Sequence, residues 1–170
     1  MDFTFDRDRA AAVASEVIRS LFPTRRSITG AGNREALTWL HRHVPSLRIE
    51  EVPSGTEAFD WTIPPEWKIR GARLTGPDGE VVVDLEHSPL HVVGYSEGVD
   101  TELDLEELLP HLHSLPERPD AIPYRTSYYQ RTWGFCLPHS RLMALRPGRY
   151  HAWIDAEHDD GGSLSYGEAV

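Results

Sequence analysis

The sequence predicts an α+β chain in which two helices and one strand precede a mostly β unit. Three observations carry this. Apolar residues recur about every four positions in the first 43 residues. From Leu47 onward they recur every second position instead. Beyond Pro53, short β-prone runs alternate with Gly- and Pro-containing turns.

In order along the chain, residues 8–22 place Val13, Val17 and Leu21 four apart, with Ala14, Ile18 and Phe22 beside them, which predicts one apolar helix face ended by Pro23. TRRSITGAGN reads as a Gly-rich turn with Thr29 and Asn33 as helix caps. A second helix is predicted over 33–43, with Leu37 and Leu40 inward and Pro45 as its stop. LRIEEV at 47–52 alternates apolar and charged residues and predicts a half-buried strand.

ARLTGPDGEVVVDL predicts a hairpin about Gly76-Pro77-Asp78-Gly79, and HVVGY at 91–95 a further strand. LDLEELLPHLHSL at 103–115 is the single predicted helical interruption, capped by Asp104 and ended or kinked at Pro110. RTWGFCL at 131–137, RYHAWIDAEH at 149–158 and SLSYGEAV at 163–170 complete the strands. SLSYGEAV reads as a strand only just begun, which leaves open a natural end or a truncated one.

Composition narrows the function. Apolar residues make up 39% of the 170, enough for a core, and the formal charge is −10 with no block of basic residues. Such a chain repels a phosphate backbone, so nucleic acid is not an expected partner. No apolar run is long enough to cross a membrane, and MDFTFDRDRA lacks the apolar centre of a signal peptide, so a cytoplasmic protein is expected. Cys136 is the only cysteine and sits in WGFCL, where a small buried thiol is favoured over a nucleophile.

The histidines number nine, so metal ligation needs testing. His41 and His43 lie two apart on a predicted helix and diverge, so they read as solvated helix residues. His111 and His113 diverge likewise unless Pro110 has already forced extended backbone; a structural or substrate-contact role is favoured over ligation. No HExxH, paired CxxC, phosphate loop or GxSxG elbow occurs. AEHDDGG reads as an exposed acidic turn, since its spacing is not that of a calcium loop.

Two aromatic stretches stand out. GTEAFDWTIPPEW gathers Phe59, Trp61 and Trp67 about a double proline. IPYRTSYYQRTWGFCLPHS combines Tyr128, Tyr129, Arg131 and Trp133, side chains with apolar bodies and hydrogen-bonding heads that suit recognition as well as a core.

PSGTEAFDWTIPPEWKIRGARL, LHVVGYSEGVD, HLHSLPERPDAIPYRTSYYQRTWGFCLPH and DGGSLSYGE together resemble a group of bacterial aminopeptidase-like proteins long catalogued as domains of unknown function. The resemblance runs from about Arg26 to Glu168. It implies a di-zinc aminopeptidase-type α/β body carrying an inserted β-rich domain similar to protease-associated domains, often followed by a winged helix. Residues 1–53 then correspond to the start of the body, 54–160 to the inserted domain, and 161–170 to the strand returning to the body.

The zinc-binding stretch that the resemblance implies, beginning His-x-x-His-Pro, is absent from this sequence. No zinc ligand and no catalytic residue is therefore assigned here, and zinc is expected for the full-length family only. The expected substrate there is a small peptide or aminoacyl compound, contacted by Tyr128, Tyr129, Arg131 and Trp133, with His111 and His113 as second choices. The alternative function is a standalone, non-catalytic binding module.

Overall fold

The computed structural model describes residues 6–169. Helix α1 (Arg7–Leu21) opens with the Asp6 carboxylate accepting from Arg9 N–H at 3.0 Å. Its stripe forms as predicted but packs little: Leu21 is buried, whereas Val13, Ile18 and Phe22 face solvent. Helix α2 (Ala31–His43) starts two residues earlier than predicted and is capped by neither Thr29 nor Asn33. Its cap is Gly30 at φ +99°, where a Cβ would meet the Trp67 carbonyl oxygen at 2.8 Å, so only glycine fits. Thr29 instead turns into the interior, and the Asn33 amide donates to the Ser165 carbonyl at 2.7 Å. Leu37 and Leu40 are half-buried.

Strand β1 (Arg48–Pro53) pairs antiparallel with β10 (Ser163–Glu168) as a two-stranded ribbon, from Arg48↔Glu168 to Pro53↔Ser163. β1 is nearly all exposed rather than half-buried, because a single strand beside it covers little of either face. The chain leaves β1 and re-enters β10 at neighbouring positions, so residues 54–162 form an excursion from that ribbon.

The excursion begins with a small hairpin, β2 (Glu57–Ala58) and β3 (Trp61–Thr62). Its main sheet has the order β5-β4-β9-β6, with β4 at Glu66–Thr75, β5 at Val81–Asp84, β6 at Val99–Asp104 and β9 at Arg149–Asp159, all antiparallel. The predicted 76–79 turn joins β4 to β5. Period-two burial puts Ala72 and Leu74 of β4 and Tyr150, Ala152 and Ile154 of β9 in one core with Leu108, Phe135 and Leu137.

Three expectations need correction. HVVGY is not a strand: Pro89–His91 makes a 3₁₀ turn capped by the Ser88 hydroxyl, and Val92 and Gly94 make only isolated bridges to Phe135 and Thr126. RTWGFCL is strand only at Phe135–Cys136 (β8), which pairs in parallel with β7 (Leu112–His113). Phe135, Cys136 and Leu137 are all buried, so the run is enclosed on both sides instead of alternating. The helical interruption has the expected cap and break, since α3 (Leu105–Leu108) carries the Asp104/Glu107 capping box and passes into a 3₁₀ turn, Leu109–His111, at Pro110. It is not the sole one, since α4 (His139–Met143) follows β8.

Candidate functional site

The segment 124–134 runs beside 93–97 and is pinned by backbone hydrogen bonds. Gly94 N–H donates to Arg125 O at 2.8 Å, Ser127 N–H to Gly94 O at 2.9 Å, and Glu97 N–H to Thr132 O at 2.9 Å. Tyr95, at the centre of the contact, holds a left-handed φ of 67°, unfavourable for a side chain of that size. The surroundings hold it there. Its ring stacks 5.7 Å from Trp67, Tyr128 meets it edge-on at 4.9 Å, and its hydroxyl shares a hydrogen bond with Thr29. Burial pushes its phenol up to about 12.

This ribbon sets Tyr128, Tyr129 and Arg131 around one cavity of about 170 Å³, closed by Pro65 and His158. Tyr129 donates its hydroxyl to the Thr62 carbonyl at 2.9 Å, which joins the ribbon to β3. A larger opening of about 460 Å³ shares Pro65 and Tyr129 with this cavity and is lined also by Ser54, Thr62, Ile63, Pro64 and Asp160. The Ser54 hydroxyl there is buried with no hydrogen-bond partner among the described residues.

Arg131 is well exposed, with the Glu97 carboxylate 3.7 Å away. His158 has its pKa lowered, first by burial and then by the Arg131 charge, so its imidazole is neutral near pH 7. An exposed guanidinium, the Tyr128 phenol and a neutral imidazole around one cavity can hold a carboxylate or an amide.

The structure separates the other named residues from this cavity. The His111 ring stacks on Trp133 with centroids 3.7 Å apart and planes 3° apart, and its Nδ1 lies 2.9 Å from the Trp133 carbonyl oxygen. Trp133 in turn meets Phe135 edge-on at 6.2 Å. His113 lies half-buried, its pKa lowered first by burial and then by Arg125. His111, His113 and Trp133 thus fasten β7 to the segment entering β8. Cys136 is fully buried, and burial pushes its thiol up to about 12, which makes it a poor nucleophile.

His158 and Pro65 are the site residues that residue-type reasoning missed. His158 had a readable signal: it shares the even-numbered face of β9 with Tyr150, Ala152 and Ile154. No three His, Cys, Asp or Glu converge to hold a metal ion among the described residues. His41 bonds the Leu47 carbonyl and His43 stacks on Trp39.

The family model described as Domain of unknown function (DUF2172) matches residues 66–157, from β4 nearly to the end of β9. A Clostridium acetobutylicum protein named "putative polysaccharide biosynthesis protein with aminopeptidase-like domain" is 45% identical over 152 residues, covering 89% of this chain and 35% of that protein. A crystal structure of a "putative peptidase" from Clostridium acetobutylicum aligns with a TM-score of 0.88 at 43% identity, covering 94% of this chain and 37% of that one. This chain therefore spans about a third of the length of the relatives it matches.

Proposed function

The chain belongs to the DUF2172 family, and we propose that it is the N-terminal part of a cytoplasmic, zinc-dependent aminopeptidase-like hydrolase. In this reading residues 54–160 are an inserted β domain, similar to protease-associated domains, that shapes the substrate cleft. The observation that carries it is the β1–β10 pairing: residues 54–162 leave and return through adjacent strands, as an inserted domain must. The reaction class rests on the names of the two relatives, an aminopeptidase-like domain and a peptidase.

Zinc belongs, in this proposal, to polypeptide outside this chain; among the described residues no set of donors converges. Zinc supplies water activation and carbonyl polarisation in such hydrolases. The part assigned to this chain is binding. Tyr128, Tyr129 and Arg131 contact a peptide or aminoacyl substrate, with Arg131 opposite its carboxylate. Trp133, His111 and His113 hold the ribbon that presents them.

The test is a chimera in which this chain replaces the matched third of the Clostridium acetobutylicum relative. Chelator-sensitive hydrolysis of short peptides is expected, with KM raised and kcat kept on Arg131→Ala. No hydrolysis by the zinc-loaded relative itself overturns the reaction class. An unchanged KM removes Arg131 from the cleft.

A further inference from the structure

A second cleft, of about 430 Å³, shares no lining residue with the cavity at Tyr128. It opens between the α1–α2 connection, β4 and the segments 89–94 and 124–126. Its floor is apolar, made by Ile69, Leu85 and Val92 with the half-buried Trp67, and Phe22 and Tyr124 stand at it 68% and 67% exposed. This size and lining match those of small-molecule sites, which run to about 300–1,000 Å³.

Its charge is the distinguishing feature. The chain has 27 acidic residues against 17 basic ones, yet Arg25 and Arg26 line this cleft and no Asp or Glu does, among the described residues. Arg25 is engaged, donating to the Arg70 carbonyl at 3.2 Å and pairing with Glu86. Arg26 forms no ion pair among the described residues, and it lines the cleft together with Trp67. The backbone that carries it is held closely: a Cβ on Gly32 would lie 2.1 Å from the Arg25 carbonyl oxygen, so the first turn of α2 rests against this segment.

We propose that the cleft binds a small carboxylate with a planar apolar body, the ring lying on the floor beside Phe22 and Tyr124 and the carboxylate on the Arg26 guanidinium. The planar fork of arginine suits a carboxylate in two parallel hydrogen bonds, and aromatic walls favour a flat partner. Such a group comes either from a free aromatic acyl-amino acid or from the aromatic C-terminal residue of a peptide. The inference is independent of the hydrolase reading, because it uses neither the β1–β10 topology nor the Arg131 cavity.

The test titrates the full ¹⁵N-labelled chain with N-benzoylglycine, its neutral amide N-benzoylglycinamide, and Gly-Gly-Phe. Saturable shifts are expected at the Trp67 indole N–H, which donates to Ser96 O at 2.8 Å, and at the Arg26, Ile69 and Thr126 amides. The acid should bind on the order of tenfold more tightly than its amide, the value of one charge-assisted hydrogen-bonded contact. Arg26→Gln should abolish that preference, and Tyr124→Ala should weaken acid and amide alike. Saturation by N-benzoylglycine alone identifies a free acid as the ligand; saturation by Gly-Gly-Phe extends the site to peptide ends. The proposal fails if neither acid saturates, if acid and amide bind equally, or if Arg26→Gln leaves the preference intact. Should Arg26→Gln lower the thermal midpoint, the acid–amide comparison on the unaltered chain decides alone.

Discussion

The Thr29 hydroxyl and the Tyr95 phenol share a buried hydrogen bond that joins the α1–α2 connection to the β unit across 66 residues of chain. Thr29 Oγ1 also accepts from Trp67 N–H at 3.1 Å, so one hydroxyl serves two elements. Tyr95→Phe removes one partner and leaves Trp67 satisfied, for a loss of about 1 kcal/mol. Thr29→Val strands both a phenol and an amide at a buried contact, for about 2–4 kcal/mol. Urea denaturation should therefore rank Thr29→Val well below Tyr95→Phe. Equal midpoints would mean that water reaches this contact.

Acid should loosen the same boundary through Glu66. This carboxylate is only 5% exposed, takes Arg34 in a two-point grip with one bond at 3.0 Å, and accepts from Ser163 N–H at 3.2 Å. Hydrogen bonding to Arg34 outweighs the burial penalty and holds the carboxyl below its ordinary 4.5. A depressed folded-state pKa gives stability that is full above the unfolded value and lost as pH falls through the folded one. Stability should thus be retained down to about pH 4.5 and decline below it, with a shallower decline in Glu66→Gln. Arg34→Met leaves a buried charge unpaired and should cost about 2–3 kcal/mol near neutrality, discounted because the guanidinium is a third exposed. Denaturant midpoints measured from pH 3 to 7 check both.

Why these contacts escape the sequence is a matter of range. The β4–β5 hairpin and β9 were readable because alternation and turn chemistry are local, and the helices because their period is. HVVGY has the composition of a strand, but its conformation is decided by the carbonyls of Arg125, Thr132 and Gly134, which lie some 30–40 residues away. The ring stack on Trp67 and Tyr128 then holds Tyr95 in a left-handed turn that no local pattern announces. In the site, residue type identified Tyr128, Tyr129 and Arg131 but could not divide them from Trp133. That division depends on where the chain stops being a ribbon and becomes β8, and His111 packing on Trp133 is what draws the line.

The α1 stripe gives a sharper case, because a readable pattern does not reveal what covers it. Leu21 is 4% exposed and Ile18 65%, although both belong to the same predicted face. Leu21→Ala should cost about 2–4 kcal/mol, as for a buried leucine, whereas Ile18→Ser should shift stability by no more than about 0.5 kcal/mol. Thermal melts of the chain alone separate these outcomes. A large loss for Ile18→Ser would show that the stripe is covered in solution, by self-association or by a rearranged helix, and sedimentation would tell these apart.

Phe135 and Arg131 test the two halves of the aromatic segment against each other. Phe135 is fully buried where β8 meets Val92, Leu112 and the main sheet, so Phe135→Ala should cost about 3–5 kcal/mol. Arg131 stands 64% exposed, with the Glu97 carboxylate 3.7 Å away, an exposed pair that adds little to stability. Arg131→Ala should leave the midpoint within about 0.5 kcal/mol of the unaltered chain. Its effect should fall instead on His158, whose imidazole loses a neighbouring positive charge that now lowers its pKa. The His158 pKa should therefore rise in Arg131→Ala while staying below its ordinary value, because burial is the larger cause and remains. An NMR titration of the His158 ring reads this directly. A rise without any loss of stability marks Arg131 as a group held at the cavity for something other than folding. An unchanged His158 pKa means that the guanidinium does not reside at this cavity in solution, and substrate contact by Arg131 would then have to be abandoned.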